Sequence, residues 1–178
     1  MDILGMLLDS AQSGGVRKAA SRIGVSESDA EAMLKKIVPA LAGGISNNVA
    51  KPGGLENLTK ALTRGNHQRY LDEDSALEDA SAVTDGNAIL GHLLGSKDVS
   101  RQVAADASSE TGIDASLIKK FLPIAAAAAM AALSKQTRGG TELEKGASSG
   151  GDALGLLGGL LGSGGGLSGL LALGRKLL

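Results

Sequence analysis

Residues 3–10 read ILGMLLDS and residues 89–96 read ILGHLLGS, so six of eight letters recur in order within one chain. The echo extends beyond the octet. VRKAASRIGVS (16–26) and LKKIVPALAGGIS (34–46) follow the first copy, while SRQVAADASSETGID (100–114) and IKKFLPIAAAAAMAALS (118–134) follow the second. Each copy is expected to supply a short apolar helix and then an Arg-bearing helix ended by Gly24 or Gly112 at a C′ position. A new N-cap follows at Ser26 or Asp114. Pro39 and Pro123 are expected at the first position of further helices, where a missing N–H is harmless. SDAE (28–31) also fits a capping box. The simplest architecture is an all-α, multihelical orthogonal bundle of two duplicated units related by a pseudo-twofold axis. The copies span about 1–48 and 87–136, with a connector over 49–86, and together form a domain over 1–138.

Composition agrees with helices packed closely. Tyr70 and Phe121 are the whole aromatic complement, there is no tryptophan, and 27 of 178 residues are glycine. A core must then come from aliphatic and small side chains, and β-propensity is poor. IAAAAAMAAL (124–133) and PALAGGIS (39–46) are expected to be buried helices that cross at the centre, because small side chains let axes approach. The formal charge of −1 gives no basic footprint for nucleic acid. With no cysteine, disulfides, thiol catalysis and thiolate metal sites are excluded. The N-terminus carries Asp2 and Asp9 and no basic segment, so it does not read as a secretory signal, and a bacterial cytoplasmic location is expected.

The connector is acidic, with seven carboxylates and four basic residues over 48–87. LENLTKAL (55–62) places Leu55, Leu58 and Leu62 at helical spacing, and SALEDASAV (75–83) offers Ser75 as an N-cap with Glu78 three positions on. Between them GNHQRYLDED (65–74) holds the candidate ligand loop. His67, Asp72, Glu73 and Asp74 are of metal-ligating type and Tyr70 can stack on a ligand, yet their spacing matches neither HExxH nor an EF-hand loop. The competing reading is structural: Tyr70 and Leu71 anchor the loop while the acids cap the next helix. His92 interrupts an apolar segment where its counterpart is Met6, and is expected to be a partly buried structural histidine.

VRKAASRIGVSESDAEAMLKKI (16–37) carries a helix-turn-helix pattern. Its second helix would begin Glu27, Asp29, Glu31, the wrong sign for phosphate, so this geometry is expected without DNA contact. No activated nucleophile or phosphate-cradling loop is present, and the chain is expected to be non-enzymatic and to need no cofactor.

Residues 139–178 differ in kind. A Gly/Ser-rich linker leads into GLLGGLLG and SGLLALGRKLL, and no charge falls between Ala153 and Gly174. Nine glycines in that span argue against an ordinary transmembrane helix. Leu156, Leu157, Leu160, Leu161, Leu170 and Leu171 instead form apolar stripes suited to another copy, a partner protein or a membrane surface.

DGNAILGHLLGSKDVSRQVAADASSETGIDASLIKKFLPIAAAAAMAALSKQ (85–136), preceded by GNHQRYLDED and followed by GLLGGLLG, resembles the YidB-like family of bacterial domains of unknown function (DUF 937). The resemblance covers most of 1–138. It implies an all-helical fold and brings no catalytic residues. The expectation is a scaffold that self-associates or binds a partner through its tail, with a ligand- or metal-binding domain at 65–74 and a helix-turn-helix DNA binder as alternatives.

Overall fold

The computed structural model describes residues 3–148 and residue 155. The chain is all-helical, with no strand among the described residues. In order come α1 (Ile3–Ser13), α2 (Gly15–Arg22), α3 (Glu27–Val49), α4 (Gly54–Arg64), α5 (Arg69–Asp72), a 3₁₀ turn (Ala76–Glu78), α6 (Ala80–Leu94), α7 (Lys97–Thr111), α8 (Ala115–Gln136) and α9 (Thr141–Ser148).

Helix α8 is the axis of the domain. From Phe121 to Leu133 it is apolar on every side, as a helix surrounded by others must be, and every residue from Phe121 to Ser134 is buried. Helices α1 to α7 and the 3₁₀ turn all pack on it. It is also the one helix among the described residues long and apolar enough to cross a bilayer, but 78% of its apolar window is buried by these neighbours.

Burial of 124–133 therefore matches expectation, and so does contact between α3 and α8. Helix α6 also makes a close approach to each of them. A Cβ on Gly86 of α6 would lie 2.0 Å from the Pro123 carbonyl oxygen of α8, and one on Gly44 of α3 would lie 2.6 Å from the Leu93 carbonyl oxygen. At both points the missing Cβ is what lets the helices come this close.

The prolines also correct the expectation. Pro39 lies inside α3 and Pro123 inside α8, and neither begins a helix. An internal proline costs about 3 kcal/mol. In α8, Ile118, Phe121 and Leu122 before it and Ile124 after it are all at most 3% exposed. Each such burial contributes about 1.5–3 kcal/mol, so continuing the helix wins.

Helix starts follow local caps. Ser26 accepts the Asp29 N–H at 3.1 Å, so the N-cap of α3 lies two residues before the SDAE box and Ser28 sits within the first turn. Asp114 accepts the Ser116 N–H at 2.7 Å, and the Ser116 hydroxyl first and this N–H second hold its carboxyl below the usual range. Gly24 and Gly112 take positive φ (82° and 73°) at the ends of α2 and α7. Ser75 caps no α-helix: it precedes the 3₁₀ turn, whose Ala76 and Leu77 are buried, and extended Asp79 separates that turn from α6. After α8, Gly139 and Gly140 turn the chain so that α9 packs on α4, with Leu143 fully buried.

Candidate functional site

Three helix faces converge on one concavity. Helix α3 contributes Ile45, Asn48 and Val49; α4 contributes Asn57, Leu58, Lys60, Ala61 and Arg64; α6 contributes Asp85, Ala88, Ile89, His92 and Leu93. The spacings 57, 60, 61, 64 and 85, 88, 89, 92 are each one helical face. Gly65, Asn66, His67 and Arg69 close one end and Met130 of α8 lies among the lining residues. The cleft encloses about 760 Å³, within the usual size of small-ligand sites, about 300–1,000 Å³. Its apolar lining comes from Ile45, Val49, Leu58, Ile89, Leu93 and Met130, with amides and charges around it.

The polar end is built on Tyr70, which is 1% exposed. Its hydroxyl donates to Asp85 and accepts from Arg69 Nη2 at 2.9 Å. The guanidinium also lies 3.6 Å from the Asp85 carboxylate and 4.8 Å from the tyrosine ring centre. Burial pushes the Tyr70 hydroxyl pKa up, and its bond to Asp85 adds to the shift. Arg69 Nε is buried and has no hydrogen-bond partner among the described residues. Burial holds the His67 pKa down against Asp85 and a hydrogen bond to the Ala61 carbonyl, with Arg69 adding to the depression. His67 is thus kept neutral, with its ring packed over Gly65, where a Cβ would meet Nε2 at 1.9 Å.

Folding separates the connector's charges. Three of its four cations, Lys60, Arg64 and Arg69, line the cleft, but only one of its seven carboxylates, Asp85, does. Glu56 pairs with Lys60, Asp72 with Lys135, Asp74 with Lys18 and Glu78 with Arg22. The Arg64 side chain has no hydrogen-bond or ion-pair partner among the described residues. A smaller concavity beside α2 also gathers cations, but there Arg17, Lys18 and Arg22 are each paired, with Glu27, Asp74 and Glu78.

Of the expected ligand loop, His67 lines the cleft and Tyr70 reaches it through Asp85, whereas Asp72 and Asp74 turn away to Lys135 and Lys18. The acids do not cap α6, whose first turn receives no side-chain bond. Among the described residues no three His, Asp or Glu side chains gather as a metal site. His92 corrects the expectation of a partly buried residue: it is exposed at the cleft. Leu156, Leu157, Leu160, Leu161, Leu170 and Leu171 lie outside the described residues.

A family model described as a bacterial protein of unknown function, DUF937, matches residues 5–136. The chain belongs to the DUF937 family. No curated protein and no solved structure matches it significantly. Every residue lining the cleft falls inside the DUF937 region, while α9 and the Leu/Gly-rich segment fall outside it.

Proposed function

We propose that this DUF937 protein is a non-enzymatic binding module whose recognition surface is the cleft between α3, α4 and α6. One observation carries the reading: an apolar lining of ligand size is joined by convergent polar groups, which is how small-molecule sites are built. The rest of the described surface offers little else, since Val83 and Val99 are its only exposed large apolar side chains. The test uses 1-anilinonaphthalene-8-sulfonate with the full chain and with Ala88→Trp, which fills the cleft from an exposed position on α6. The reading expects one dye per chain and its loss in the variant. No dye bound, or binding unchanged by Ala88→Trp, overturns it.

A second reading is carried by the Leu/Gly-rich composition of residues 153–178. In it the two helical units are a duplication, the domain works in the bacterial cytoplasm, and the tail joins it to another copy, a protein or a membrane surface. Because Leu143 of α9 is buried on the domain, the truncation that tests this ends at 148 rather than 138. Light-scattering mass is expected to show assembly of the full chain and a monomer for residues 1–148. Equal masses remove the tail's role in self-association. DNA binding has less support, since α3 opens with Glu27 and Asp29 and buries Ala30, Met33, Leu34 and Ile37 in the core.

A further inference from the structure

We infer that the cleft takes a single-chain anionic amphiphile, an aliphatic carboxylate whose head meets Arg64 and Arg69 and whose chain lies on Ile89, Leu93 and Met130. The inference rests on the cleft being a binding site and adds the class of ligand. Three observations point to it.

The first is charge. With His67 held neutral by burial, the cleft presents Lys60, Arg64 and Arg69 against the single carboxylate of Asp85. Lys60 is engaged by Glu56 and Asp85 by Arg69 and Tyr70, so the uncommitted charge is positive and sits on Arg64. This excess is built by the fold, because the segment that supplies all four groups is acidic overall.

The second is the state of Arg69. Its Nη2 is held by Tyr70 and Asp85, while its Nε is buried without an acceptor among the described residues. A buried donor left unpaired costs about 1–3 kcal/mol, and a guanidinium offers a fork that suits a planar carboxylate. The buried tyrosine and the half-exposed Asp85 fix that guanidinium before any ligand arrives, which lowers the ordering cost of binding.

The third is the apolar lining. Met130 is a flexible filler that adapts to an unbranched chain, and Ile89 and Leu93 stand one helical turn apart on α6. A small hydrophilic anion would use the cations and leave this lining idle. A neutral lipid would use the lining and leave Arg64 and the Nε of Arg69 without an acceptor among the described residues.

The test uses the protein's own reporter. Tyr70 is the single tyrosine in a chain without tryptophan, and it is bonded to a cleft residue, so its fluorescence reads occupancy. The full chain is titrated with decanoate and with decanol below their aggregation limits, alongside Arg64→Gln and Arg64→Lys. Decanoate is expected to bind about tenfold more tightly than decanol, the worth of one charge-assisted contact. Arg64→Gln removes that preference and leaves decanol unchanged, whereas Arg64→Lys keeps most of it. Melting temperatures should be unaltered, since Arg64 is exposed and touches no partner among the described residues.

If decanol binds as well as decanoate, the ligand class is wrong and the cleft remains a site. If decanoate is preferred but Arg64→Gln changes nothing, the head-group assignment is overturned. If neither alcohol nor acid moves Tyr70 and the naphthalene sulfonate dye also fails to bind, both this inference and the binding-module reading fall. Capture by phosphatidylglycerol vesicles without any response to decanoate makes the surface a membrane contact and likewise overturns the assignment.

Discussion

The two octets, ILGMLLDS in α1 and ILGHLLGS in α6, share a burial phase but differ in surroundings. Ile3 and Leu7 are buried, and so are Ile89 and Leu93 at the matching positions. The differences come from the two letters that are not shared. At the fourth position Met6 is half-buried and its sulfur accepts from Gln136 at 3.4 Å, whereas His92 stands exposed at the cleft. At the seventh, Gly95 takes φ +75° and ends α6 at Leu94, after which Ser96 caps α7 by accepting the Val99 N–H. Asp9 carries a Cβ that disfavours that turn, and α1 runs on to Ser13. A repeated apolar pattern therefore fixes which side of a helix is buried, while single letters fix where the helix stops and what its open side meets.

The sharpest way to break the comparison is to empty the matched leucines. Leu7 is fully buried, while Leu93 lines the cleft at 8% exposure and already borders open space. Leu7→Ala is expected to lose about 4 kcal/mol and Leu93→Ala about half of that, read from urea midpoints. Equal losses would mean that the two octets have the same setting after all. Next in size is Gly86→Ala, whose new Cβ meets the Pro123 carbonyl oxygen at 2.0 Å and must push α6 from α8. About 3 kcal/mol should be lost there. Gly91→Ala, on the same helix with nothing within 4 Å of its Cβ, is expected to gain up to about 1 kcal/mol. Similar behaviour of the two glycines would remove the close approach as an explanation.

Smaller still is the helix stop. Gly95→Ala has room for its methyl group but holds a left-handed conformation, which is worth about 1 kcal/mol. A loss in thermal denaturation of that size is expected, and no loss would show that α6 can end without this glycine. The pH dependence is the finest probe. His67 has a folded pKa below its ordinary 6.5, because burial outweighs Asp85 and the Ala61 carbonyl, with Arg69 acting in the same direction as burial. The unfolded chain then binds more protons in that window, so stability is full above about pH 6.5 and declines as the pH falls below it. His67→Gln should flatten this decline in melting temperature between pH 7.5 and 5.5, and an unchanged slope would assign it elsewhere.

Much of the domain is legible in the amino-acid sequence. The alanine run announces a helix with neighbours on all sides, and Ser26, Asp114, Gly24 and Gly112 mark helix ends, because caps and C′ glycines act through their nearest backbone groups. Pro39 and Pro123 misled for the opposite reason: a local rule against internal proline is outweighed by burial that only the assembled core supplies. The site was legible in part. His67 and Tyr70 stand in the most chemically varied stretch, but Asp72 and Asp74 there serve Lys135 and Lys18, while Arg64, Arg69 and Asp85 carry the cleft. Periodicity held a signal, since 57, 60, 61, 64 and 85, 88, 89, 92 each mark one helical face. What sequence alone lacks is the knowledge that these two faces border one cleft, because that depends on α3, α4 and α6 being arranged about a shared core.

That shared cleft is the central claim, and amide NMR tests it most directly. Decanoate titrated into the ¹⁵N-labelled full chain should shift residues 45–49, 57–67 and 85–93 together, saturating at one molecule per chain. Shifts confined to residues 149–178, or scattered without saturation, would contradict it.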